Sequence, residues 1–328
     1  MRSLLRHILL VICISQSTSL FAQQITQFSQ YLNNYYLVNP AATDLNGYLN
    51  IDFSYRRQET GQIQGLSSSY LSIYGTLSSS NSSQYMSHGF RDRKRIQNST
   101  AAIFNPKLTP VIGAIISKDN FGLVDRSTFH FSTGLHLPLN EKYTISTAAT
   151  VGSVLLNVSN DYYILENNDV PFWQFINGFD RERFLDLGLG IWLYSDQLQF
   201  GYGIERMFSG NSLEEGNDES FKITSNHFIS IGFKMNITGD LQIIPTLLQR
   251  IDNTDNIGVD YTVKAIYKNR IWSTVSLRRK SILVFNMGFA INPTISINYS
   301  YDNGSLNQGI ESLSANEFAL KFNLQAKK

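Results

Sequence analysis

Two histidines are the residues best suited to metal binding or acid-base chemistry in this sequence. His130 and His136 occur in a segment that alternates apolar and polar residues, so both side chains would point to the same face of one strand. At the usual rise per residue they would lie about 20 Å apart, which is too far to share a metal ion. No motif specifies a serine beside either histidine, as a hydrolase would need. The sequence therefore predicts two polar residues held by hydrogen bonds, with no catalytic or metal-binding role.

Two glycine pairs resemble fragments of a phosphate-binding loop. They occur in GLG (188–190) and GYG (201–203), and both lack the third glycine of such a loop and lie within predicted strands. We interpret them as small positions that leave room for neighbouring side chains inside a folded wall. Asp52, Arg56 and Arg57 are interpreted as a structural charge network. No cofactor is predicted.

The composition is unusual for a soluble domain. Charged residues make up 16% of the chain, against about 25% in soluble domains, and aromatic residues make up 12%. The net charge of +1 gives no sign of nucleic-acid binding. No apolar run is long enough for a membrane-spanning helix. The only cysteine, Cys13, lies in a basic and then apolar leader, residues 1–22, which is predicted to be a cleaved signal peptide; the mature chain would then have no disulfide.

Alternation of apolar and polar residues is the main pattern in the rest of the chain. In segment 184–194, Leu189 and Ile191 fall on one face, while Asp186 and Trp192 fall on the other. This period of two is typical of a strand with one apolar and one polar face. Very short polar breaks separate several such segments and predict hairpin turns.

The alternating segments number about fourteen, and an even number is usual for bacterial membrane barrels. The predicted strands are 48–58, 66–77, 109–117, 127–138, 142–154, 184–194, 198–205, 224–237, 240–249, 257–267, 270–278, 281–291, 293–301 and 316–326. The apolar face could contact a second sheet or lipid. We expect lipid, and therefore an all-β fold: a transmembrane antiparallel β-barrel over residues 48–328.

The lengths of the breaks predict how the barrel is oriented. Breaks after even-numbered strands are short, apart from an insertion at 78–107. Breaks after odd-numbered strands are mostly longer: 59–65, 118–126, 155–182, 207–223, 250–256 and 302–315. Outer-membrane barrels have short periplasmic turns and longer external loops, so both termini and the insertion are expected in the periplasm.

Several segments of the mature chain resemble those of one protein family. They are QFSQY (27–31), NPAA (39–42), YRRQ (55–58) with Gly61 and Gly65, the longer segments 117–139, 185–208 and 227–248, and INYSYD (297–302). The chain resembles the PorP/SprF family of outer-membrane proteins of the bacterial type IX secretion system, over nearly its whole mature length. This resemblance implies a role in protein secretion and surface gliding.

Three regions are candidates for partner binding. Segment 23–47 does not alternate and could fill the barrel or bind across its periplasmic opening; its candidate residues are Gln27, Phe28, Tyr31, Asn39 and Pro40. The insertion is either a flexible solvated loop or a docking patch for an acidic partner, through Arg91, Arg93, Lys94 and Arg95. Phe172 and Trp173, in loop 155–182, could form a lid or an exposed partner site.

Two functions fit these features. The first is a non-enzymatic component of type IX secretion that docks periplasmic machinery lipoproteins and assists export or anchoring of a secreted surface protein. The second is a porin-like channel for small solutes. A fourteen-strand barrel is too narrow for a folded cargo protein, because barrels of 16 to 18 strands leave only an aqueous channel. The chain is therefore not expected to be the protein-conducting pore.

Overall fold

The computed structural model describes most of the chain outside the leader and several connections. The described residues are 28–43, 48–60, 63–77, 108–122, 124–140, 142–158, 181–207, 225–252, 257–278, 281–304 and 313–325. Two short 3-10 turns, Ser29–Leu32 and Tyr35–Leu37, precede the first strand. None of the helices in these ranges is both long and apolar enough to cross a membrane.

The described residues form fourteen antiparallel strands in one sheet. In chain order, β1 to β14 are Tyr48–Thr60, Ile63–Thr76, Thr109–Asn120, Val124–Pro138, Thr144–Val158, Arg181–Tyr194, Leu198–Glu205, Asn226–Phe233 with its continuation Met235–Asn236, Leu241–Asp252, Ile257–Tyr267, Ile271–Arg278, Ile282–Ala290, Ile295–Gly304 and Leu313–Gln325. Each strand pairs with its neighbours in sequence, and β14 pairs with β1, so that the sheet closes on itself. The predicted fourteen-strand barrel is confirmed.

Alternation along each strand separates an apolar outer face from a polar inner face. On β12 the exposed residues are Leu283, Phe285, Met287 and Phe289, and on β6 Leu185, Leu189 and Ile191 are exposed while Trp192 is buried. Most of the buried wall residues are Ser, Thr, Asn and charged residues. An apolar exterior around a polar interior is the arrangement of a barrel that lies in lipid.

The two rims of the barrel differ, although less than the sequence predicted. At one rim, here called the turn rim, connections such as 195–197 and 268–270 are short. The opposite rim, called the loop rim, has three long connections: 159–180, 206–225 and 305–312.

The predicted long loop at 118–126 was wrong. Strands β3 and β4 continue to Asn120 and Val124, and Asp119 lies opposite Arg126 in the register, where their side chains form an ion pair of 2.8 Å. The connections around 59–65 and 250–256 are shortened in the same way by longer flanking strands. The alternation of apolar and polar residues did not predict these strand ends, because the backbone hydrogen bonds continue into polar sequence beyond the apolar face.

Candidate functional site

Residues 28–43 lie inside the ring of strands, and we call them the lumen segment. Near its start Ser29 contacts residues close to the loop-rim ends of β11 and β13, Arg278 and Asp302. At its end Thr43 Oγ1 lies 2.8 Å from Nε2 of His136, close to the turn-rim end of β4. The segment therefore runs through the barrel from one side to the other before β1 begins.

The barrel wall holds the lumen segment almost entirely through wall side chains. Backbone hydrogen bonds of the segment are local, such as Asn34 N to Gln30 O at 3.0 Å. Among the described residues, the only wall backbone group in a hydrogen bond to the segment is the carbonyl of Ile191, which accepts from Asn39 Nδ2 at 3.0 Å. The ladder of the barrel is thus complete without the segment, and the contacts between them depend on the identities of side chains.

The first of these contacts places Ser29 among five buried charged residues, which we call the charge cradle. The cradle consists of Arg56, Asp260, Arg278, Asp302 and Glu317. Each is at most 5% exposed. Four ion pairs connect them one to the next in space: Glu317 to Arg56 at 3.7 Å, Arg56 to Asp302 at 2.8 Å, Asp302 to Arg278 at 3.3 Å and Arg278 to Asp260 at 3.4 Å.

Ser29 binds this cradle through both its backbone and its side chain. Its backbone N–H donates to Glu317 Oε2 at 2.7 Å, and its hydroxyl donates to Asp302 at 2.7 Å. The same hydroxyl oxygen accepts from Nη1 of Arg56 at 3.0 Å and from Arg278 at 3.4 Å. Hydrogen bonds to charged groups are stronger than neutral ones, so Ser29 is a main anchor of the lumen segment.

A buried lysine makes a second anchor. Lys264 on β10 is 2% exposed, and its ammonium donates to the Leu32 carbonyl at 3.1 Å and to Asn33 Oδ1 at 2.7 Å. Lys321 also donates to the carbonyl of Asn33, at 3.4 Å. Buried ammonium groups need hydrogen-bond acceptors, and here the lumen segment supplies them.

Aromatic residues of the lumen segment fill the space between these polar anchors. Phe28 packs edge-on against Tyr70 with ring centroids 4.7 Å apart, and Tyr36 stacks on Tyr74 at the same distance. Tyr35 lies beside Trp192 with ring centroids 5.2 Å apart. Phe28, which was predicted to bind a partner, therefore packs against the barrel itself. Tyr31, predicted for the same role, is only 2% exposed and is also buried inside the barrel.

Two wall glycines allow the NPAA stretch to approach the barrel wall closely. A Cβ atom at Gly190 would collide with the Asn39 side chain, and one at Gly203 would come within 2.7 Å of the Val38 carbonyl. Asn39 is buried and Pro40 is half-buried at this contact. The glycines therefore make room for other residues, as the sequence predicted, and the residues they admit belong to the lumen segment.

Both histidines face the interior, as their parity predicted, and each is held by hydrogen bonds. His136 contacts Thr43 and the Tyr194 hydroxyl, the latter at 3.3 Å. His130 Nε2 lies 2.9 Å from Asp186. In the part of the chain that the structure describes, no group of three His, Cys, Asp or Glu residues could hold a metal ion.

The predicted network of Asp52, Arg56 and Arg57 was only partly right. Arg56 joins the charge cradle, and Asp52 pairs with Lys321 at 3.6 Å. Arg57 points to the outer face, where it pairs with Glu59 at 3.6 Å. Neighbouring residues of a strand point to opposite faces, so Arg56 and Arg57 cannot share one network.

Several predicted site residues lie outside the described ranges. They are Gln27, Arg91, Arg93, Lys94, Arg95, Phe172 and Trp173, together with the leader and the whole insertion at 78–107. Sequence reasoning did not single out Ser29, Lys264, Asp302 or Glu317. Inward parity within their strands could have selected Lys264, Asp302 and Glu317, whereas no periodic signal marks Ser29.

Three solved structures are similar to this barrel. The Pseudomonas putida toluene transporter TodX has a TM-score of 0.51 at 9% identity, covering 92% of this chain and 95% of that one. The CymD monoaromatic hydrocarbon channel also has a TM-score of 0.51 at 9% identity, with coverages of 93% and 95%. The Acinetobacter baumannii protein Omp33 has a TM-score of 0.46 at 7% identity, with coverages of 85% and 99%. For TodX and CymD, an identity of 9% limits the similarity to the fold alone.

Sequence comparison gives the family. A search of curated protein sequences finds no match. The sequence profile described as type IX secretion system membrane protein PorP/SprF matches residues 20–322, which include every described strand except the last three residues of β14. The closed barrel with its apolar exterior agrees with an integral protein of the outer membrane. This chain therefore belongs to the PorP/SprF family of type IX secretion system membrane proteins.

Proposed function

We propose that this protein is a non-enzymatic outer-membrane component of the type IX secretion system that docks periplasmic machinery and assists export or surface anchoring of a cognate secreted protein. The observation that carries the proposal is the lumen segment inside a barrel of the PorP/SprF family. A barrel filled by its own chain offers no route for a folded cargo. The protein would therefore act on secretion through its surfaces and rims.

The proposed orientation places the turn rim in the periplasm, together with the start of β1 and the end of β14, so that the start of the lumen segment lies towards the outer side of the membrane. Apart from the insertion between β2 and β3, the connections at this rim are short, and together with the three long connections at the opposite rim they support that orientation. Residues 1–22 would then be a cleaved signal peptide, and the insertion at 78–107 would extend from the periplasmic rim. Its basic residues Arg91, Arg93, Lys94 and Arg95 would contact an acidic surface of a machinery lipoprotein, since clustered cations raise the local potential.

Affinity capture from native membranes tests this docking role. The tagged full chain, after chemical cross-linking, should capture secretion-machinery lipoproteins and a secreted surface protein. Changing the four basic residues to Gln should lower lipoprotein capture by about tenfold at low ionic strength, because the attraction between exposed charges is largest there.

A matched control neutralises four other cations near the same rim. Lys142, Lys234, Lys268 and Arg270 lie in or beside the turn-rim connections, and their change to Gln should leave lipoprotein capture unchanged. Equal losses for both quadruple variants would show a general charge effect and would remove the role of the insertion. Capture of no secretion component by the unaltered chain would overturn the docking proposal as a whole.

A channel for small solutes is the second candidate. Two structures with the same fold are described as a toluene transporter and a monoaromatic hydrocarbon channel. A ring of fourteen strands is also wide enough to hold a lumen rather than only interdigitated side chains. A steady conductance of the unaltered chain in planar bilayers would favour this channel, and absence of conductance would favour the docking role.

A further inference from the structure

We infer that the barrel lumen is a peptide-binding site, and that residues 28–43 are an exchangeable ligand of this site. The ligand class is a peptide in short 3-10 turns that presents an aromatic residue, a serine, an amide and a second aromatic residue in succession. A partner peptide of this chemistry could then occupy the lumen in place of the resident segment. The inference rests on the proposed closure of the lumen and does not require any secretion partner.

The wall and the lumen segment are structurally separable. Every described strand pairs with both of its neighbours without help from the segment, and the sheet is closed. The segment has no backbone-to-backbone hydrogen bond with any described strand. The segment therefore adds no hydrogen-bonded pair to the barrel sheet, and it occupies the barrel as a tethered ligand occupies a receptor.

The wall also presents a built site for four consecutive residues of the segment. Phe28 packs on Tyr70, and Ser29 occupies the charge cradle. The amide oxygen of Gln30 accepts from Asn286 Nδ2 at 2.9 Å. Tyr31 is hydrogen-bonded through its hydroxyl to Thr262 at 3.2 Å, and its ring lies under the Arg250 guanidinium, 5.3 Å from the ring centroid.

The wall contacts peptide groups of the segment as well as its side chains. Glu317 accepts the backbone N–H of Ser29, and Lys264 donates to the backbone carbonyl of Leu32. These opposite charges lie on β14 and β10, so the wall binds one donor and one acceptor of the same short stretch of backbone. A small solute would not offer this pair of groups at this spacing, whereas any peptide in the same conformation would.

The tether also explains why exchange has to be tested after the connection is cut. Residues 44–47 link the segment to β1, and a short link of this kind gives the segment an effective concentration on the order of millimolar at its own site. A free peptide would need to exceed that concentration to compete. Cutting the link removes this advantage and leaves the non-covalent affinity to be measured.

The experiment therefore uses the complete folded chain with a protease site introduced within 44–47. After cleavage in detergent, a fluorescent synthetic peptide of residues 23–46 is added in tenfold excess over the protein. We expect the peptide to replace most of the resident segment, with one peptide bound per barrel. Fluorescence anisotropy would measure the binding of the peptide, and gel filtration would measure the release of the cleaved segment. The barrel itself should stay folded, which its heat-dependent gel mobility reports.

Two altered peptides separate specific recognition from general burial of apolar residues. A Ser29→Ala peptide should bind at least about tenfold more weakly, because the cradle loses a charge-assisted hydrogen-bond partner. A Leu37→Met peptide, altered at a half-buried position, should bind within about threefold of the native peptide.

Two results would overturn the inference. One is a cleaved segment that neither leaves nor admits the labelled peptide over days while the barrel stays folded. The other is equal binding of the Ser29→Ala and native peptides. Both measurements use purified protein, so either failure would leave the capture of secretion components as an independent test of the proposed function.

Discussion

Deleting residues 28–43 should open the lumen of the barrel as a steady ion-conducting pore. We expect the single-channel conductance in planar bilayers to rise by about tenfold or more over the residual current of the native chain, because a fourteen-strand ring is wider than the eight-strand barrels that side chains alone can fill. The inner wall that the deletion exposes carries Ser72, Ser132, Thr262 and Ser300, whose hydroxyls would hydrogen-bond to water.

The size of this effect follows from how completely the lumen segment occupies the barrel. Its buried aromatic residues Tyr31, Tyr35 and Tyr36 reach the wall at β10, β7 and β4, which lie around the ring. No smaller change would be expected to clear the lumen, since each tyrosine is held separately. Single substitutions such as Tyr35→Ala should therefore give small or brief currents.

A deletion of equal length within 78–107 is the matched control and should leave the barrel without conductance. Heat-dependent gel mobility should show that both deletion variants are folded. A folded Δ28–43 variant without conductance would contradict closure by this segment. Steady large pores in the unaltered chain would instead favour the solute channel.

Alternation was sufficient to predict the barrel because lipid imposes a rule on every second residue. Phe318, Leu320 and Phe322 on β14 could be assigned to the outer face from sequence because the opposite parity would place Glu317 and Lys321 in hydrocarbon. The strand ends were less predictable. Beyond the apolar rows, the ladder of β3 and β4 continues through Lys118 and Asp119 with no hydrophobic signal.

The lumen segment could be noticed in the sequence, but its position could not be derived. Its lack of alternation excluded it from the wall, and this exclusion left its place inside the barrel or across the opening undecided. The contacts that decide the position join residues far apart in the chain, such as Ser29 with Asp302 and Glu317. Parity gives the face of each charged residue, whereas the pairing of charges across the lumen depends on the three-dimensional closure of the ring.

Arg56 should contribute far more to the stability of the barrel than its neighbour Arg57. In the structure Arg56 is the one cation within 4.0 Å of Glu317 among the described residues, and it also pairs with Asp302 at 2.8 Å. Changing Arg56 to Met would leave the fully buried Glu317 carboxylate with hydrogen bonds from Ser29 and Ser54 alone, as far as the described residues go. Removing one partner of a buried ion pair typically costs about 3–5 kcal/mol, because the remaining charge stays buried without compensation.

The same substitution one residue further along provides the control. The side chains of Arg57 and its ion-pair partner Glu59 are 58% and 56% exposed. Because exposed ion pairs contribute little, Arg57→Met should change the free energy of unfolding by about 0–1 kcal/mol. Urea unfolding of both variants in lipid vesicles, followed by tryptophan fluorescence, would measure the difference. Equal effects of the two substitutions would show that the charge cradle is not a main source of stability. A large loss for Arg56 alone would also be expected to weaken retention of the lumen segment, because Arg56 and Glu317 both bind Ser29.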